Sequence, residues 1–261
     1  MKRYLVFWVL MLVMGCPKAP NNLTDQALLE LGQSRDIPYA MRGKFSAKVT
    51  AKGDPMPGLP GAMILHQPDR FRIALNAPIG GPVFTLISDG TGVGLVLHRE
   101  NVYILVEHAA DLLGPLVNQG VGLESLTAVL LGSVPWSETA PSSIEEIEDG
   151  IRFVYSGPEG SSVKVQLHPG GELALLETFD AEDVLVFSVA HREYSKVEGF
   201  RMPKKTYIQM PAADLSVQLK FSDWSELAKI PNAFGLDAPS GVEVIGYEEA
   251  LERLKKATGK D

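Results

Sequence analysis

The sequence predicts an α+β protein built on one wide antiparallel sheet that curls, with helices over its concave side. Three observations carry this. From Gly43 onward, apolar residues recur with a period of two in segment after segment. Short clusters of Gly, Pro, Asn and Asp separate those segments. Midway along the chain the spacing becomes helical, and then the strand pattern resumes. About eleven or twelve strands with two or three helical pieces is an α+β plan. Twist accumulates across a sheet of that width, so it curls or closes. Its inner face is then largely apolar and can enclose a ligand cavity.

The elements follow in order. Lys2 and Arg3 precede an apolar run, Tyr4 to Met14, of about 11 residues. A bilayer-spanning helix needs roughly 18 or more, so the run fits the core of a signal peptide better than a permanent membrane helix. Pro17 to Asn22 reads as a tether. Thr24 to Gln33 reads as a helix, with Leu23, Ala27, Leu28 and Leu31 at helical spacing and Asn22 or Thr24 to cap it. In the first strand, Phe45, Ala47, Val49 and Ala51 alternate with Lys44, Ser46, Lys48 and Thr50. Strands are expected next at Ala62–His66, Arg70–Asn76, Val83–Ser88, Gly92–Arg99 and Asn101–Glu107. Ala109–Leu113 and Leu123–Leu131 read as helices, the second ended by Gly132 and Pro135. Strands resume at Ile144–Glu148, Ile151–Ser156, Ser161–His168, Leu173–Asp180, Val184–Tyr194, Arg201–Met210 and Leu215–Trp224. A Pro-rich stretch, Pro231 to Pro239, leads to a helix from Tyr247 to Ala257. No internal repeat and no clear domain boundary interrupts the chain. The organisation expected is a leader at 1–15, a tether at 16–22 and a single domain at 23–261.

Val13-Met14-Gly15-Cys16 ends the apolar run and holds the chain's one cysteine, so no intramolecular disulfide is possible. These residues resemble a bacterial lipoprotein signal, in which the cysteine becomes the lipidated first residue of the mature chain. That resemblance implies diacylglycerol and an N-acyl chain on Cys16, and a domain tied to the periplasmic face of the cell envelope. Val13 stands where such signals usually carry Leu. Pro17 leaves inner and outer membrane both open. The formal charge is −8, and about −10 without the first 15 residues. An acidic domain is not a nucleic-acid binder by default. It also does not adhere to anionic lipid by charge alone, so attachment falls to the acyl chains.

Catalytic chemistry is not evident. The five histidines, His66, His98, His108, His168 and His191, show no metal-ligand spacing. Each lies at a strand end or beside a turn, where a solvated side chain is expected. No Gly-x-Ser-x-Gly elbow is present. Gly90-Thr91-Gly92-Val93-Gly94 opens into a strand, not a helix, and reads as a hairpin turn rather than a phosphate loop. Glu145, Glu146, Glu148 and Asp149 read as a wet turn. The expectation is a binder or carrier, with no enzyme activity, no metal and no cofactor.

Three pieces carry a family resemblance. They are Phe71-Arg72-Ile73-Ala74-Leu75-Asn76-Ala77-Pro78-Ile79-Gly80, the stretch Gly122 to Pro135, and Arg201-Met202-Pro203 with Leu215 to Phe221. They resemble the LolB family of outer-membrane lipoprotein receptors and, more loosely, the LolA/LolB-like fold of periplasmic lipid carriers. The tail after Trp224 departs from the pattern. The resemblance implies a curled, incomplete β-barrel of about eleven strands, with helices as a lid over acyl chains. It implies outer-membrane localisation, lipoprotein acyl chains as cargo, a LolA-like periplasmic carrier as donor and a monomer. A protruding loop meets the bilayer in that family, and the matching position is Ile79. The cavity candidates are Phe45, Val49, Phe71, Ile73, Leu126, Leu130 and Phe187, all of which suit a plain core equally well. The alternative reading is an envelope scaffold that uses the same half-barrel to hold a protein partner.

Overall fold

A computed structural model describes residues 39–106, 123–134 and 140–258. Cys16, the leader, the tether and the helices expected at 24–33 and 109–113 lie outside the described residues.

The first strand, β1 (Ala40–Ala51), is the hinge of the architecture, because it pairs on both sides. On one side a meander runs outward through β3 (Leu59–His66), β4 (Arg70–Asn76), β5 (Pro82–Asp89), β6 (Val93–Leu97) and β7 (Val102–Val106). A two-residue strand, β2 (Asp54–Pro55), pairs off the path with β1. On the other side a second meander is built from β8 (Ser143–Ile147), β9 (Gly150–Ser156), β10 (Ser162–Leu167), β11 (Leu173–Phe179), β12 (Leu185–Val197), β13 (Phe200–Met210) and β14 (Leu215–Glu226). Its last strand, β14, closes on β1 with a bulge between Lys44 and Phe45. A final strand, β15 (Glu243–Gly246), adds in parallel outside β7.

Among the described residues the sheet has fifteen strands, where about eleven were expected, and β15 pairs with β7 in parallel. It is open, as an incomplete barrel is: β15 and β8 are its two ends and do not pair with each other. Closure is one way to remove exposed edges, and charge is another. Here the edge strand β8 carries Glu145 and Glu146. At the other edge, Glu243 of β15 is held by Arg253 at 2.6 Å. The described helices are α1 (Leu123–Leu130), which packs on the sheet, and α2 (Tyr247–Thr258), beside β15 and β7.

α1 defines the inner face. Leu130 and the adjoining Leu131 join a core cluster with Phe45, Met63, Phe71, Ile104 and Leu219, while Val129 joins a second cluster with Phe153, Leu176 and Phe187. The helix therefore bridges the two meanders. His191 fixes it there. This ring is buried on β12, accepts at Nδ1 from the Thr206 hydroxyl (2.9 Å) and donates from Nε2 to the Val129 carbonyl (2.7 Å). The expected solvated histidine is thus a buried dock for the helix. A ring with both nitrogens partnered can be buried without an unmet hydrogen bond.

The opposite, outer face differs between the meanders. On β3 to β7 it is largely covered, with His66, Thr85, Ile87, Val96 and Tyr103 all buried. Residues 227–242 form the strap that covers them. The strap begins where the Leu227 amide donates to Ala40, and continues as the Ala233 carbonyl accepts from Arg72. Tyr103 Oη then donates to the Leu236 carbonyl at 2.5 Å, and Asn101 Nδ2 donates to the Gly241 carbonyl at 2.7 Å. Gly94 lets Tyr103 lie across the sheet, since a Cβ there would sit 2.8 Å from the Tyr103 ring. His66, also expected to be solvated, is 4% exposed, edge-on to Tyr39 at 4.3 Å and beside Phe234 of the strap. Burial lowers its pKa, and neighbouring Arg70 lowers it further.

Candidate functional site

The inner face of β4, β5 and β6 is the candidate site. Register places Ile73 opposite Leu86, and Leu86 opposite Leu95. One row further along, Leu75 lies opposite Phe84, which lies opposite Leu97. All six side chains are only half-buried. Leu126 of α1, also half-buried, packs on the same cluster. Apolar side chains at this depth border the core yet still offer surface to a ligand. The strip leads toward the connection between β4 and β5, where Ile79 stands.

That connection, residues 77–81, is uncharged and stiff. Pro78 lies within it and Pro82 follows it, Gly80 takes φ 120° and the Ala77 amide donates to the Gly81 carbonyl at 3.1 Å. Ile79 is 95% exposed at its tip. An isolated exposed Ile is ordinary on a protein surface. One held out by two prolines at the end of an apolar strip is placed to touch something.

The other candidates separate into core and margin. Phe45 is buried against Phe221 (ring centroids 5.8 Å) and over Gly61, where a Cβ would come within 2.5 Å of its ring. Phe71 and Leu130 are buried in the same cluster, and Phe187 is buried in the other one. Val49 is half-buried and lines a groove of about 280 Å³ shared with β13 and β14. The structure therefore brings Phe45, Phe71, Ile73, Leu126 and Leu130 into one cluster and leaves Val49 and Phe187 apart. Sequence reasoning passed over Leu75, Leu86, Leu95 and Leu97. Their signal was the alternation within each strand, together with the turn that puts Leu75 and Ile79 at one end.

Among the described residues no three His, Cys, Asp or Glu side chains are grouped to hold a metal ion. No described helix is long and apolar enough to cross a membrane.

No protein family and no curated protein sequence matches the chain. Solved structures do match its fold. A DUF1329 family protein from Desulfovibrio piger aligns with a TM-score of 0.57 at 11% identity, over 81% of this chain and 96% of that one. A LolA superfamily protein from Nitrosomonas europaea aligns with a TM-score of 0.55 at 12% identity, over 81% and 97%. A domain assigned to outer-membrane lipoprotein sorting, from Vibrio parahaemolyticus, gives 0.55 at 12%, over 78% and 94%. The likeness is one of fold: an open, mostly antiparallel sheet of the LolA kind.

Proposed function

We propose that this chain is an envelope lipoprotein that binds the acyl chains of lipids or lipoproteins on the inner face of β4 to β6 and hands them to a membrane. The observation that carries the reading is the half-buried apolar strip from Ile73 to Leu97, on a LolA-like fold, ending beside the exposed Ile79. Chemically the strip suits a hydrocarbon chain. It offers aliphatic carbon, and each buried methylene of a ligand contributes about 0.8 kcal/mol.

In this reading Ile79 enters the bilayer, where an uncharged Pro/Gly loop meets no charge penalty. Cys16 carries the diacylglycerol and N-acyl anchor that keeps the strip beside the receiving membrane, the outer membrane. The cargo is a lipoprotein received from a LolA-like periplasmic carrier.

The test is lipid extraction from the purified full chain carrying Cys16→Ser. Acyl lipid recovered in near-stoichiometric amount, and lost in a Leu86→Asn, Leu95→Asn double variant that still melts cooperatively, is the expected outcome. No acyl lipid in the parent chain would refute the reading.

A further inference from the structure

On the outer face of β12, β13, β14 and β1 the chain gathers positive charge. Register sets Arg192 opposite Lys205 and Lys205 opposite Lys220, three cations on three adjacent strands. Like charges directly opposite in a sheet repel. One row away, Lys48 lies opposite Gln218, and Gln218 opposite Tyr207. The carboxylates on this face are already engaged: Glu193 pairs with Lys205, and Asp223 with Lys44 at 3.9 Å. Among the described residues no carboxylate lies within ion-pair distance of Lys48, Arg192 or Lys220, though the charge of Lys220 also acts on Glu193, and all three are exposed. The chain as a whole carries −8, so this cluster runs against its overall charge.

The groove of about 280 Å³ lies in the same patch. Lys48, Thr50, Tyr207 and Gln218 line it, and Met56, 52% exposed, borders it. Arg192 lies over the Tyr207 ring at 5.3 Å, and Gln218 Nε2 donates to Tyr207 Oη at 3.1 Å.

We propose that this face docks on an anionic phospholipid bilayer, with headgroup phosphates against Lys48, Lys220 and Arg192. Charge complementarity selects an anionic partner. The spread of the cations over four strands, with Tyr207 and an exposed Met56 among them, fits a flat interface of headgroups and glycerol. An acidic peptide would want an apolar anchor pocket at the centre of the patch. The inference rests on the membrane-tethered reading above. Each cation at an anionic surface favours it by about fivefold, and a tether that holds the face at the membrane adds to this. The face would also orient the domain, because the rest of the acidic surface is repelled.

The experiment uses the full chain with Cys16→Ser and vesicles of phosphatidylcholine, alone or mixed with phosphatidylglycerol. The measured quantity is the ratio of binding to the two kinds of vesicle; the leader, with Lys2 and Arg3, is common to the parent and both variants, so its contribution cancels when their ratios are compared. A triple variant, Lys48→Gln, Arg192→Gln, Lys220→Gln, is compared with a charge-matched control, Arg70→Gln, Arg99→Gln, Lys229→Gln, and both are melted to verify folding. Each lost cation should lower the ratio about fivefold, so the first variant falls on the order of a hundredfold while the control stays near the parent. Equal ratios in the two variants, or a parent ratio of one, would overturn the proposal. Binding of the parent to poly-glutamate with no dependence on phosphatidylglycerol would also overturn it and assign the face to an acidic polypeptide. A chain that retains acyl lipid but loses the phosphatidylglycerol dependence refutes the docking face alone. The converse refutes the carrier reading alone.

Discussion

The two meanders share one sheet and one inner face yet differ on the outside. From β9 to β14 the strands broadly alternate, and most outer side chains are polar, among them Gln166 on β10, Lys205 on β13 and Gln218 on β14, with Val154 and Leu175 as exceptions. From β3 to β7 the outer face too buries apolar side chains, Ile87, Val96 and Tyr103 among them, beside Arg72 of β4, and the strap covers them. Alternation signals one wet face, and near-continuous apolar runs signal two covered ones. The difference teaches that a strand's pattern reports whether its second face is covered but not what covers it.

The sharpest way to break the comparison is to place a carboxylate on each outer face. Val96→Asp, under the strap, should cost about 3–5 kcal/mol or prevent folding, since a buried unpaired charge has no partner there. Ser46→Asp, on the exposed outer face of β1 opposite Lys220, should stay within about 0.5 kcal/mol. Urea denaturation of the two variants decides it, and equal costs would mean the strap does not cover its face.

Next in size is Tyr103→Phe. It removes the hydrogen bond to Leu236 and leaves that carbonyl short of a donor, at about 1–2 kcal/mol. The same substitution at Tyr207 on the open face should cost less, because water replaces its partner.

A smaller effect distinguishes the strap by pH. The buried ring of His66 resists protonation, and both its nitrogens lack hydrogen-bond partners. In the unfolded chain the ring takes a proton near pH 6.5. Stability from this site is therefore complete above about pH 6.5 and declines as pH falls below it. His66→Phe should flatten that part of a melting-temperature profile. An unchanged slope would show that another group sets it.

Ile79→Glu should have the smallest effect on stability, within about 0.5 kcal/mol at a 95% exposed site. Delivery of lipoprotein to membranes should nonetheless fall. Normal delivery would remove the loop from the mechanism.

Much of this was legible in the sequence. Arg70–Asn76 was expected and found with the same bounds, because alternation and a turn at each end fix a hairpin strand. β15 and β2 were not expected: four residues and two residues are too short to show a period. The strap was seen only as a Pro-rich stretch, since its role depends on contacts with Arg72 and Tyr103 far away in the chain. His66 and His191 were misplaced because a neighbouring turn or strand end says nothing of what folds over the ring. In the candidate site, strand identity was readable. The division of Phe71 to packed core and Leu95 to open strip was not, because both are apolar residues on the same face, and only packing depth separates them.

The central claim is that hydrocarbon lies on the inner face of β4 to β6. Photo-crosslinking with a diazirine-bearing fatty acid, followed by peptide mapping of the full chain, tests it most directly. The account predicts adducts on Ile73, Leu86, Leu95 or Leu97. Adducts confined to the outer face, or spread evenly over the surface, would contradict it.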